Sequence, residues 1–195
     1  MRDVYTGLRM GVERDFKIVR TVERLNRIIN QSRMTTRFVS LFYGEIEEEG
    51  NFMYVNAGHP PPLHFHAGGV TMLKQTGMVL GPSSTSTYSR GFRLLERGDA
   101  ILMYTDGMFE AHDAKGNEFG IERLQEAFLA VRDRPADEIA RSLIDAVRNY
   151  AGGSEPEDDQ TVVVLRRGDE PNSVGRPGDG VAGTRHSDGP PRLTV

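Results

Sequence analysis

The chain has 195 residues, a net charge of −4 and no cysteine, which excludes disulfide scaffolds, thiolate zinc sites and cysteine nucleophiles. No apolar run approaches the ~20 residues of a membrane span and no signal-peptide core follows Met1, so a soluble, cytoplasmic protein with no membrane partner is expected. Residues 168–195 hold 6 Gly and 4 Pro and few large apolar groups; a disordered tail is expected there, leaving residues 1–167 as one domain with length enough for a core.

Residues 1–37 carry nine Lys/Arg against four Asp/Glu. Arg20, Arg24 and Arg27 recur at helical spacing, so a solvated helix face explains the excess more simply than nucleic acid, and no nucleic-acid partner is expected. On the same stretch Ile18, Val22, Leu25 and Ile29 recur at 4, 3, 4, which predicts a helix over 15–31 with one buried stripe. Strand-like segments follow at Arg37–Ile46, Asn51–Ala57, Leu63–His66 and Val70–Leu73, with Gly50 and Gly69 suited to hairpin turns. Two further strands are predicted at Tyr88–Leu95 and Asp99–Thr105. The second reads Ala-Ile-Leu-Met-Tyr, apolar on both faces, as a strand inside a layered core does. Helices are predicted over 121–131 and 137–150, the latter closed by Gly152-Gly153, and a last doubly apolar strand over Thr161–Leu165. A block of strands with helices before and after it points to an α+β fold of antiparallel sheets.

Two acidic positions stand out. Asp106 follows the strand that ends at Thr105, and Asp158 and Asp159 precede the strand that starts at Thr161. If those strands pair antiparallel, their carboxylates share one rim, and clustered carboxylates suit a hard cation such as Mg²⁺ or Mn²⁺. Each motif alone is also an ordinary turn. Asp99 opens the strand that Asp106 closes, about 20 Å away at ~3.3 Å per residue, and is excluded from that site. His59, in Gly58-His59-Pro60-Pro61-Pro62, is a turn histidine that could act as a general acid or metal ligand. A backbone-bonded turn residue is the plainer reading. His64 and His66 share a strand face at a spacing that could hold zinc, but no third ligand is near and a partly exposed face is expected.

Taken in order, Leu25-Asn26, Phe38-Val39-Ser40-Leu41-Phe42-Tyr43-Gly44, Tyr54-Val55-Asn56-Ala57-Gly58-His59-Pro60-Pro61-Pro62, Gly98-Asp99, Tyr104-Thr105-Asp106-Gly107, Glu110-Ala111, Phe119-Gly120 and Asp158-Asp159-Gln160-Thr161 resemble the bacterial PPM-type serine/threonine phosphatases of the stage II sporulation E (SpoIIE-like) kind, over about residues 15–167. The resemblance implies an α-β-β-α sandwich with a binuclear Mn²⁺ or Mg²⁺ centre. It also implies that Asp106 and Asp158 are metal ligands, with Gly107 and Asp159 in support, and that a metal-activated water attacks phosphoserine or phosphothreonine. The implied substrate is a phosphoprotein of a partner-switching pathway, such as an anti-sigma-factor antagonist. The family's metal-bridging carboxylate lies in strands ahead of the first helix. Met1-Arg2-Asp3-Val4 is expected to start inside or just after that helix, and neither Asp3 nor Asp15 is assigned to the bridging position. Two readings therefore stand: a phosphatase, and an inactive, N-terminally incomplete domain that at most binds proteins. For the chain alone, little Mn²⁺-dependent activity is expected.

Overall fold

A computed structural model describes residues 18–32, 38–153 and 155–168. The expected first turn of the leading helix (15–17) and the expected disordered tail beyond Gly168 lie outside the described residues. Helix α1 (Ile18–Gln31) buries Ile18, Val22, Leu25 and Ile29, the stripe read from the sequence, and adds Thr21 and Asn26 on the same face. Asn26 is satisfied there: its Oδ1 accepts the Gly81 N–H at 2.8 Å and its Nδ2 donates to the Ser83 carbonyl at 2.8 Å, as a buried amide requires.

The strands are β1 (Leu41–Ile46), β2 (Asn51–Ala57), β3 (Leu63–His66), β4 (Gly69–Met72), β5 (Gly91–Leu94), β6 (Ala100–Tyr104) and β7 (Val162–Arg166). Helices α2 (Gly120–Val131) and α3 (Ala136–Tyr150) lie between β6 and β7. Every strand pairing is antiparallel. One sheet has the order β1-β2-β5 and the other β4-β3-β6-β7. The expected hairpin turns at Gly50 and Gly69 are present, both at positive φ. Three strands are shorter than expected: β6 stops one residue short at each end of Asp99–Thr105, and two others lose more. The first begins at Leu41, with Val39 bridging only to Leu80, and the fifth begins at Gly91 because Ser89 donates its N–H to Thr76 instead of to a strand.

Period-2 alternation of side chains sorts these strands into layers. On β6, Ala100, Leu102 and Tyr104 face α2 and α3, meeting Leu124, Phe128, Ile139, Leu143 and Val147. Ile101 and Met103 face the other sheet, where they meet Phe52, Tyr54 and Phe42. On β2, Val55 and Ala57 pack against α1. The result is an α-β-β-α sandwich with three apolar layers. Each fully buried Leu or Ile contributes about 1.5–3 kcal/mol, and β6 contributes to two of the three layers, which accounts for its apolar character on both faces.

The expectation of a partly exposed His64–His66 face needs correction. His64 is buried, and its Nε2 lies 2.8 Å from the buried Asp99 carboxylate. Each supplies the other a hydrogen-bond partner out of water, while His64 Nδ1 is buried with no hydrogen-bond partner among the described residues. His66 is half-buried and bonds Thr71 at 3.0 Å.

Candidate site: an acidic rim and the cleft beside it

The site is built on the β6–β7 pair. Register runs from Ala100↔Arg166 to Tyr104↔Val162, and the ladder continues one step further. Thr105 N–H donates to the Thr161 carbonyl at 3.1 Å. The Thr105 hydroxyl donates to the Asp159 carbonyl at 2.8 Å and accepts the Thr161 N–H at 2.9 Å. Gln160 Nε2 donates to the Gly107 carbonyl at 3.2 Å. These bonds pin the residues after β6 against the residues before β7, so Asp106 and the pair Asp158-Asp159 stand on one rim. Asp99, at the start of β6, is at the opposite end of the strand.

Gly107 makes that proximity possible. A Cβ there would lie 2.7 Å from the Asp159 carbonyl oxygen and 3.2 Å from that of Asp158, both backbone atoms. Only a residue without a side chain lets the two segments approach this closely. Asp106 opens a 3₁₀ turn, Asp106–Met108, anchored by the fully buried Met108. Its Oδ1 accepts the Gly107 N–H at 3.2 Å, and Asp158 Oδ1 accepts the Asp159 N–H at 2.7 Å. All three aspartates are exposed, so each keeps carboxylate lone pairs facing solvent. The structure places the segments of Asp106-Gly107 and Asp158-Asp159 side by side.

Beside the rim opens a cleft of about 580 Å³, lined by His59, Asp106 and Glu110 and by apolar side chains including Val79, Phe109 and Ile121. His59 reaches it from the turn after β2. Gly58 has φ +74, and its Cβ position is filled by Val79. Asn56, fully buried, accepts the His59 N–H on its Oδ1 at 2.9 Å and donates from Nδ2 to the Leu73 carbonyl at 3.2 Å. The Tyr104 hydroxyl donates to the Pro61 carbonyl at 2.8 Å. Burial pushes the Tyr104 phenol up to about 12, so it remains a donor at any ordinary pH. Asn56, Tyr104 and Glu110 lie within the motif segments but were given no site role from the sequence. An Asn inside the otherwise apolar Tyr-Val-Asn-Ala run is the signal that could have marked the first.

A layered pair of antiparallel sheets between helices, with an acidic rim at one end, defines the fold of the PP2C/PPM phosphatases. The chain is similar to the RsbU and RsbW domains of Rv1364c from Mycobacterium tuberculosis, with a TM-score of 0.71 and 26% identity over 88% of this chain and 49% of that one. It shares its fold with the PP2C phosphatase domain of SpoIIE from Bacillus subtilis, with a TM-score of 0.68 and 22% identity over 85% of this chain and 48% of that one. The family of stage II sporulation protein E (SpoIIE) matches residues 1–168, and the chain belongs to it. It is 28% identical to the phosphoserine phosphatase RsbU of Bacillus subtilis (strain 168) over 151 residues, 75% of this chain and 44% of that protein. The chain spans less than half the length of the curated relatives it matches. Among the described residues no helix is long and apolar enough to cross a membrane.

Proposed function

We propose that the chain acts as a Mn²⁺- or Mg²⁺-dependent phosphatase on phosphoserine or phosphothreonine of a cytoplasmic regulatory protein, such as an anti-sigma-factor antagonist. The observation that carries this reading is the convergence of Asp106 and Asp158 on one rim, locked by Thr105 and Gly107, at the mouth of the His59 cleft. The name and function of RsbU, and the pairing of an RsbU domain with an RsbW domain in Rv1364c, support a phosphoprotein substrate in a partner-switching system.

The donor set suits a hard cation, since Asp106 and Asp158 offer exposed carboxylate oxygens and no sulfur or imidazole is among them. When bound, the cation would lower the pKa of a coordinated water and offset phosphoryl charge. The chain's own residues do the rest: Asp106 and Asp158 hold the ion, Asp159 adds negative charge at the rim, and the cleft receives the phosphorylated side chain. Among the described residues no group of three or more His, Asp or Glu is arranged to hold a metal. The rim thus fits one ion kept partly by water. Its affinity is expected on the order of millimolar, and turnover is expected to be low. That same observation favours a second reading, in which the domain binds protein partners without catalysis.

The deciding experiment is a Mn²⁺ titration of the purified chain with a phosphate-ester assay, repeated on Asp106→Asn and Asp158→Asn. Metal-dependent turnover lost in both variants supports the phosphatase. Turnover indifferent to both substitutions removes these ligands from the reading, and no turnover at saturating metal leaves the binding module.

A further inference from the structure

The cleft beside the acidic rim is larger than the phosphoryl group that would enter it. A volume of about 580 Å³ is that of a site for a whole small ligand, so room remains for residues that flank a phosphorylated side chain. One wall of that room is apolar. Phe38, Val79, Phe109 and Ile121 line it, and Phe38 is 60% exposed. Rigid neighbours hold these side chains in place. Val39 exchanges both N–H···O bonds with the fully buried Leu80, at 2.9 and 2.8 Å, which ties the Phe38 segment to the Val79 segment. Phe109 meets the Tyr104 ring edge-on, with centroids 5.9 Å apart. A single exposed apolar side chain is ordinary, but four gathered on one wall of a cleft mark a surface for a ligand. The carboxylates of the lining are Asp106 and Glu110, and no Lys or Arg is among its described residues. Glu110 is exposed, and its carboxylate has no hydrogen-bond or ion-pair partner among the described residues.

We propose that Phe38 and Glu110 set the sequence preference of the cleft: it takes phosphorylated segments with an apolar side chain within two residues of the phosphoserine and Lys or Arg, not Asp or Glu, just beyond. The phosphorylated occupant rests on the phosphatase reading. An extended segment advances about 3.3 Å per residue and returns a side chain to the same face every second position. With the phosphoserine at the rim, a neighbour on the same face therefore reaches the apolar wall. A Leu or Ile there covers the Phe38 ring and removes its surface from water. In the function proposed above Asp106 is committed to the cation, so Glu110 is the carboxylate left to meet the flank. It attracts a cationic side chain and repels an acidic one, which adds discrimination more than raw affinity. The two contributions are independent, since one is apolar contact and the other is charge.

Four phosphoserine peptides test the assignment, with Leu or Ala within two residues of the phosphoserine and Lys or Glu at the next positions out. At saturating Mn²⁺ the full chain should show kcat/KM about tenfold higher for Leu than for Ala, and about threefold higher for Lys than for Glu at low salt. At 1 M salt the Lys preference should close while the Leu preference holds, because only charge is screened. Phe38→Ala should bring the Leu-to-Ala ratio near one, and Glu110→Lys should reverse the Lys-to-Glu ratio. Both are ratios within one sample, so they do not depend on the folded fraction of a variant. Turnover with ratios near one in the unsubstituted chain overturns the selection and leaves the phosphatase reading intact. A ratio that its own substitution leaves unchanged overturns the role of that residue. Absence of turnover on all four peptides sinks the phosphatase reading, and fluorescence anisotropy of the same peptides, labelled, then decides the selection. The same order in Kd, altered in the same way by Phe38→Ala and Glu110→Lys, supports it; binding that is absent or indifferent to sequence overturns it as well.

Discussion

Replacing Gly107 by alanine tests whether the two acidic segments must touch for the rim to work. The new methyl carbon would lie 2.7 Å from the Asp159 carbonyl oxygen and 3.1 Å from its carbon. Ordinary contact begins at 3.4 Å, so one backbone segment has to retreat by about 0.7 Å. The retreat is resisted by the Thr105 hydroxyl, whose 2.8 Å bond to the same Asp159 oxygen would stretch. Overpacking of this kind costs about 1–3 kcal/mol, and in a domain of this size each kcal/mol lowers Tm by roughly 2–4 °C. The same movement carries Asp158 away from Asp106. Hard cations hold their oxygens within narrow distances, so Mn²⁺ affinity should fall about tenfold or more. Calorimetric melting and Mn²⁺ titration read the two effects on one sample. Gly168→Ala is the control, since nothing lies within 4 Å of its Cβ position and its φ is not in the left-handed range. If Gly107→Ala melts within about 1 °C of the unsubstituted chain and binds Mn²⁺ equally well, the packing argument for the rim is refuted.

Two further substitutions probe the supports. Tyr104→Phe removes the donor to Pro61 and should cost about 1 kcal/mol in urea unfolding at pH 7. Because burial raises the native phenol from 10.0 to about 12, its contribution is complete below pH 10 and is lost as pH rises towards 12. The variant should therefore lose part of its alkaline destabilisation, the remainder coming from Tyr43, which burial and the neighbouring Glu45 also raise to about 12, and from Tyr88, which burial also raises; an unchanged alkaline limb counts against the burial argument. Asp99→Ala strips the partner from the buried His64 and an acceptor from the Glu96 N–H. It should destabilise by about 1–3 kcal/mol without changing Mn²⁺ affinity; a weakened metal site would contradict its placement at the far end of β6.

Local periodicity made most of the architecture legible. The 4, 3, 4 stripe of α1 and the doubly apolar β6 and β7 segments are direct imprints of what each element buries. The acidic neighbourhood was legible only through a condition, that β6 and β7 pair antiparallel, because Asp106 and Asp158 are 52 residues apart and no local pattern links them. Long-range polar pairing was not legible. His64 and Asp99 are 35 residues apart, and a histidine alternating with Leu63 and Phe65 reads as the solvent face of a strand when it faces inward. Asn26 and Asn56 share that difficulty, since each is buried through bonds to loops that the sequence does not place. The shortened β5 has a similar origin: Tyr88 is apolar enough to suggest strand and is buried, but it packs with α1 while the backbone beside it bonds a loop.

The end of β6 explains why rim and cleft form one site. Tyr104 points to the helix side of its sheet, where it is buried and bonds Pro61 of the His59 turn. Thr105 turns its hydroxyl into the approach to β7 and fastens Asp159 and Thr161. Asp106 then leaves the strand in a tight turn and presents its carboxylate to the cleft. Three consecutive residues thus set the position of the histidine, of the second acidic segment and of the first carboxylate relative to one rigid strand. Packing on both faces fixes that strand, since β6 is shared by the inter-sheet core and the helix-facing core. A displacement at either core reaches the acidic rim and the His59 turn together, whereas a change confined to the turn alters the histidine alone. Substitutions in the turn should therefore alter the position of His59 without moving the acidic rim, whereas substitutions in β6 should move both.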